Sequence, residues 1–289
     1  MLALATHAGE ETVKPIRVAA QLHPQHGDLP ALRGAAVQAE ELGYDALYTW
    51  DHFSPLYGKG SGQHYECWTL LASWAEATSR IALGPLVACN SYRNPDLLAD
   101  MARTVDHISG GRLTLGLGAG WFERDYREYG FVFPDAVARL RQLGESLPRI
   151  RHRLQVLNPP PLGTMPLLIA GGGEQLTTRL VARYADAWHV GFPDRPDEVL
   201  PKVAALRRWC AEIGRDANDI EWAVGVEPYD LDRFLERDFE TYLEIGFTQF
   251  TLGFNGPDWQ VAQGQLWLNR RDAINAQRSR QPVRPRASA

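Results

Sequence analysis

Residues 80–130, RIALGPLVACNSYRNPDLLADMARTVDHISGGRLTLGLGAGWFERDYREYG, restrict the possible folds more than any other stretch. Ile81 to Ala88 is short and apolar, as a buried strand is. Pro95 to Ile108 has helical spacing, with Leu97, Leu98, Met101, Val105 and Ile108 on one side. Ser109-Gly110-Gly111 stops that helix, and Leu113 to Leu117 is a second short strand. Two strands joined by one helix are parallel, and a parallel sheet is covered on both faces. The ends of the two strands, Ala88-Cys89-Asn90 and Gly118-Ala119-Gly120-Trp121, then lie side by side. That edge is where α/β folds place ligands.

The same unit recurs along the chain. Strands are predicted at Ile16–Leu22, Asp45–Trp50, Leu167–Ala170, Ala187–Val190, Ile220–Val226 and Thr248–Leu252. Helices are predicted at Pro30–Leu42, Glu66–Thr78, Asp135–Arg153 (interrupted near Pro148), Glu174–Tyr184, Pro196–Ile213, Leu231–Ile245 and Trp259–Gln277. Phe122 to Pro134 reads as an aromatic and charged connection, and Asn158-Pro159-Pro160-Pro161 as extended linker. Eight strands alternating with helices predict a single α/β domain, a (β/α)₈ TIM barrel over residues 15–277. A doubly wound sheet would not need eight such units. Residues 1–14 read as a loose leader and 278–289 as a disordered basic tail.

Composition excludes several roles. A net charge of −5 argues against a nucleic-acid partner. No apolar run reaches the length of a membrane span, and no signal peptide is evident. Cys67, Cys89 and Cys210 form no close pair, which suits a reducing cytoplasm and gives neither zinc site nor disulfide framework. His23-Pro24-Gln25-His26 lacks the spacing of a metal hydrolase, and no nucleophile elbow supports Ser/His/Asp chemistry. No metal ligand is assigned.

In a barrel the functional residues lie at the C-terminal strand ends. Trp50-Asp51-His52 is an acid/base candidate there, with Asp51 fixing the His52 tautomer or holding a ligand. The alternative is a loop in which Asp51 binds backbone. Glu66 is either a helix-start residue or a pocket carboxylate. Cys89 has no evident base beside it and reads as pocket wall. Gly171-Gly172-Gly173-Glu174-Gln175, between strand and helix, is either a phosphate cradle, with Thr177 and Thr178 as further donors, or a tight turn. His189 is either a satisfied structural histidine or a ligand contact.

The segments AEELGYDALYTWDHF (39–53), 65–121, LLIAGGGEQLTTRLVARYADAW (167–188) and LRRWCAEIGRDANDIEW (206–222) resemble the luciferase-like oxidoreductases, in particular the branch dependent on the deazaflavin coenzyme F420. The resemblance implies a barrel with a flavin-type ring over the strand ends and Asp51 and His52 beside it. It places a non-proline cis peptide at Leu86-Val87 in a bulge, Leu86-Val87-Ala88-Cys89, that backs the ring, with Asn90 a further cofactor-binding candidate. It puts the coenzyme phosphate at Gly171, Gly172 and Gly173, with Gly120, Trp121, Glu174, Gln175 and His189 around the coenzyme. His189 stands where Asn is usual, and Trp121 where some deazaflavin dehydrogenases have a glutamate. The insertion after the fourth βα unit is shortened, which predicts an open pocket. The expected function is hydride transfer between F420 and a small organic substrate, with His52 as acid/base and Trp50 and Glu66 as further catalytic candidates. The expected alternatives are an FMN-dependent monooxygenase and a non-catalytic flavin-binding protein. A cytoplasmic homodimer is the expected assembly.

Overall fold

The computed structural model describes residues 14–280. Residues 1–13 of the expected leader and 281–289 of the expected tail lie outside the described residues. Every strand pairing is parallel, in the order β3-β2-β1-β9-β8-β7-β6-β5-β4. The strands are β1 (Arg17–Leu22), β2 (Ala46–Thr49), β3 (Ala82–Pro85), β4 (Ala88–Cys89), β5 (Leu115–Gly118), β6 (Leu167–Ala170), β7 (Ala187–His189), β8 (Glu221–Val226) and β9 (Gln249–Phe254). A parallel bridge between Leu83 of β3 and Leu113, just before β5, closes the ring. The ninth strand is a local break. The predicted third strand is split by the cis Leu86-Val87 peptide into β3, paired with β2, and β4, paired with β5. The architecture is the predicted (β/α)₈ barrel.

The helices are α1 (Leu29–Leu42), α2 (Cys67–Ala77), α3 (Pro95–Ser109), α4 (Glu123–Tyr129), α5 (Ala136–Val156), α6 (Thr177–Tyr184), α7 (Leu200–Glu212), α8 (Leu231–Arg237), α9 (Phe239–Ile245) and α10 (Gln265–Arg278). Their starts follow local chemistry. Asp28, Asn94 and Asp135 each accept a backbone N–H at the N-caps of α1, α3 and α5, satisfying a donor the helix cannot. Between strands and helices lies a continuous apolar layer, with Trp74, Trp188 and Trp267 almost fully buried.

Several predicted elements are corrected. The connection after β5 contains a helix, α4. Pro148 does not interrupt α5. The missing N–H removes one helical bond, and the helix continues because Leu143, Leu147 and Ile150 are buried on both sides of it. The helix predicted from Leu231 breaks at Asp238 into α8 and α9. Arg278, assigned to the tail, is the last residue of α10 and donates to Lys14 O.

Inside the barrel, Ala19, Ala46 and Ala187 pack with Tyr48, Leu86 and Leu168. A Cβ on Gly84 would lie 2.1 Å from Thr114 O, and one on Gly116 2.1 Å from Pro85 O. The backbones thus approach where the third strand is broken, and the bulge fits against β5.

Candidate active site at the C-terminal strand ends

A cavity of about 530 Å³ opens over the strand ends. Of the residues singled out in the sequence, Trp50, Asp51, His52, Leu86, Val87, Cys89, Gly120, Trp121, Gly171 and His189 line it. Ala88, Asn90, Glu66, Gly172, Gly173, Glu174 and Gln175 do not line it. The cavity is not sealed by the segment after β5, since Trp121 at its edge is 64% exposed.

Asp51 does not orient His52. Its carboxylate is buried and accepts two bonds from Arg93, at 2.5 and 3.0 Å, and one from Cys89 N at 3.0 Å. Burial pushes the Asp51 carboxyl up, against the pull of Arg93. The Asp51–Arg93 pair therefore clamps the loop after β4 onto the end of β2. Arg93 also reaches Glu66 Oε1 at 2.9 Å, and Glu66 Oε2 accepts Thr69 N at 2.7 Å. Glu66 is thus an N-cap with an ion-pair partner, as its helix-start reading expected.

His52 is held by a residue the sequence reading missed. Its Nδ1 lies 2.8 Å from Asp125 Oδ2, on α4. Asp125 is buried and also accepts Phe53 N at 3.2 Å and the Tyr92 hydroxyl at 3.1 Å. Burial opposes its charge, but the bonds from His52, Phe53 and Tyr92 outweigh it and hold the carboxyl below its usual range. A carboxylate only accepts, so Nδ1 carries the proton and Nε2 is left to accept. Trp121 and Phe122 meet the imidazole edge-on, at 5.8 and 5.4 Å. Ser54 Oγ donates to Glu128 Oε2 at 3.0 Å, a second tie between this loop and α4.

Next to His52, Trp50 is fixed between two histidines. His23 stacks on it at 4.2 Å, and Trp50 Nε1 donates to His64 Nε2 at 2.9 Å. Burial lowers His23 to about 4 and His64 to about 4, so both rings are neutral. Trp50 is therefore a wall whose single donor is already used.

The cis peptide is at Leu86-Val87, where the resemblance placed it. Leu86 O accepts Gln21 Nε2 at 2.9 Å. Burial pushes the Cys89 thiol up to about 11, and Sγ lies 3.2 Å from the Tyr126 hydroxyl, so Cys89 is wall rather than nucleophile. Gly120 has φ +82° and its Cβ would fall 2.0 Å from Tyr126 Oη, so no other residue fits here.

Across the mouth, Gly171 takes φ +134° and spends its N–H on His189 O at 2.9 Å. Lys202 lies over Gly172, and Thr177 Oγ1 over Gly173. Two details of the expected cradle change. The helix begins at Thr177, not Glu174, because residues 174–176 form a turn. Thr178 Oγ1 donates to Glu174 O at 2.7 Å, so it is engaged within that turn. Thr177, Gly172 and Gly173 are the remaining candidate donors, with Lys202 beside them. His189 Nδ1 accepts Gly191 N at 3.1 Å; burial lowers the ring to about 3, and the buried Nε2 has no partner. Gln21 Oε1, also at the cavity floor, is likewise buried without one.

Residues 11–232 match the family model for the luciferase-like monooxygenases. The chain belongs to that family. Among curated relatives it is 29% identical over 218 residues to a 4-hydroxyprotoasukamycin monooxygenase of Streptomyces nodosus subsp. asukaensis, covering 67% of this chain and 57% of the relative. It is 30% identical over 227 residues to a phthiodiolone/phenolphthiodiolone dimycocerosates ketoreductase of Mycobacterium tuberculosis, covering 66% and 58%. An F420-dependent glucose-6-phosphate dehydrogenase of Amycolatopsis mediterranei is 30% identical over 176 residues, covering 54% and 50%. The chain thus spans less than three fifths of the length of these relatives. Among solved structures, an F420-dependent secondary alcohol dehydrogenase superposes with a TM-score of 0.75 at 17% identity, covering 88% of this chain and 98% of that one. The similarity is one of fold. Among the described residues, no helix is long and apolar enough to cross a membrane and no cluster of His, Cys, Asp or Glu could hold a metal.

Proposed function

We propose that the protein is an F420-dependent oxidoreductase that moves a hydride between the deazaflavin coenzyme and a small organic substrate. The observation that carries this reading is that one cavity is lined both by the oriented His52 and by Gly171 and Thr177 of the glycine loop. Buried, unpartnered polar atoms at the cavity floor, Gln21 Oε1 and His189 Nε2, fit a heterocycle with polar edges. The relatives that use F420, by name, support the deazaflavin. When bound, the coenzyme would supply a two-electron hydride donor or acceptor.

In this reading the bulge at Leu86–Cys89 backs the ring. Gly172, Gly173, Thr177 and Lys202 hold the phosphate. Asp51 acts through Arg93 by fixing that bulge. His52 Nε2 takes a proton from a substrate hydroxyl, or its protonated form returns one to a carbonyl. Asp125 stabilises the imidazolium and fixes the ring orientation. The proposal extends to a homodimer in the cytoplasm.

The test is equilibrium titration of the purified protein with F420 and, separately, FMN, followed by ligand fluorescence. Tight F420 with weak FMN binding is the expected result. The reverse preference would move the protein to the flavin monooxygenases, the reading favoured by its similarity to the Streptomyces enzyme. Binding of neither would remove the coenzyme reading.

A further inference from the structure

Charge is spread unevenly over this chain. Its net charge is −5, yet α6 and α7 carry Arg179, Arg183, Lys202, Arg207 and Arg208 against a single acid, Glu212, at the end of α7. Arg207 faces α9: its guanidinium carbon lies 5.3 Å from the centre of the Trp222 ring, and Nη2 donates to Ile245 O at 3.3 Å. Arg179 and Arg208 meet instead on Trp209, with guanidinium carbons 5.3 and 5.0 Å from the centre of its ring. A guanidinium held on a ring face is ordered while its N–H donors stay free. Both arginines are exposed, and neither has a hydrogen-bond or ion-pair partner among the described residues. Arg183 lies one turn after Arg179, on the same face of α6, and shares the Tyr184 ring with Arg151, each at 5.4 Å.

This set adjoins the glycine loop. Trp209 Nε1 donates to Glu174 O at 3.2 Å, in the turn that follows Gly173. Lys202, over Gly172, precedes Arg208 by six residues on α7, about 9 Å along the helix axis. Cations therefore continue from the glycine loop onto the outer α6–α7 surface: Lys202, then Arg179 and Arg208, then Arg183. The acids beside them, Glu174 and Glu212, are fewer than these cations. A ligand that ended at its phosphate would leave the three arginines unused.

We propose that this arginine–aromatic path binds the carboxylate chain of the coenzyme, outside the cavity. In F420 the phosphate is a diester that continues through a lactyl group into γ-linked glutamates, whereas FMN ends at its phosphate. The glutamate carboxylates pair with Arg179, Arg208 and Arg183, whose donors are ordered by Trp209 and Tyr184 and otherwise unspent. This rests on the proposed F420 reading, with the phosphate at Gly172, Gly173 and Lys202. The choice of F420 over FMN is then made in part on the surface beyond the phosphate, away from the ring and from His52.

The test reads binding, not turnover. Titrations followed by ligand fluorescence compare F420 carrying several glutamates, the form that ends at the lactyl group, and FMN. They are run on the unaltered protein, on the double variant Arg179→Gln/Arg208→Gln, and on Arg207→Gln. Exposed charge pairs are individually weak and screened by salt, so the glutamate-bearing form should bind about tenfold tighter than the lactyl form at low ionic strength, and within about twofold of it at about 0.5 M salt. The double variant should lose that advantage. Arg207→Gln, which removes a charge from the same helix away from the path, should keep it. Equal affinity for the two F420 forms in the unaltered protein, or the same loss in both variants, overturns the path and leaves the coenzyme reading standing. Binding of FMN with neither F420 form bound removes the coenzyme reading and the path with it.

Discussion

The barrel has a cavity at each end, of similar size: about 530 Å³ at the C-terminal strand ends and about 470 Å³ at the N-terminal ends. Their polar groups are used differently. At the N-terminal end Arg17 pairs with Glu221 at 3.0 Å, and Asp186 accepts Leu167 N at 2.8 Å. Arg112 makes five hydrogen bonds, to Ser109 O, Thr78 Oγ1, Thr78 O, Ile81 O and Ala75 O. Those bonds tie α2, α3 and β3 together. At the C-terminal end, polar atoms at the cavity floor lack partners and His52 Nε2 is free to accept. Cavity size does not separate the two ends; unused hydrogen-bonding capacity does.

Substitutions can break or sharpen this contrast. The largest functional effect is expected from His52→Ala. Loss of a positioned acid/base typically costs 10²–10⁴-fold, so turnover should fall by at least about 100-fold while coenzyme affinity stays within a few-fold. Unchanged turnover in a coupled fluorescence assay would remove His52 from the chemistry. At the other end, Arg112→Ala should act on stability alone. It leaves four carbonyls of buried residues short of a donor and should cost about 3 kcal/mol, with coenzyme binding per folded molecule unaltered. A denaturant titration beside a binding titration separates the two effects.

A third prediction concerns acid. His23 and His189, lowered to about 4 and about 3, stay neutral in the fold while the unfolded chain protonates near 6.5. The unfolded state therefore binds more protons below that value, and stability is present above pH 6.5 and lost as pH falls. Each buried ring should remove on the order of 2 kcal/mol by pH 5. A flat stability profile between pH 7 and 5 would contradict their burial as neutral groups. The smallest effect is expected at the phosphate loop. Lys202→Ala should weaken a phosphate-bearing coenzyme about fivefold and leave the dephosphorylated form unchanged. Equal loss for both would place Lys202 outside the cradle.

Much of this was legible in the chain itself. The eight βα units follow from hydrophobic runs of strand and helix length and from caps such as Asp28 and Asn94, because backbone hydrogen bonding and burial are local constraints. The strand-end candidates at Trp50–His52 and Gly171–Gly173 follow from the same pattern, since a barrel exposes those positions on one face.

Tertiary structure alone decided which groups met. Asp51 is adjacent to His52 in sequence, yet successive residues point to different sides of the chain. It turned to Arg93, and the partner of His52 became Asp125, 73 residues away. No periodicity marks such a pair, because α4 is one short helix in a segment that reads as a connection. The interruption expected at Pro148 and the helix start expected at Glu174 failed for a related reason. Burial of Leu143, Leu147 and Ile150 overrode one local breaker, and the turn at 174–176 delayed the other helix. The sequence determined the barrel and the face on which its site is built. Packing determined which side chains share that site, because that depends on distances between segments far apart in the chain.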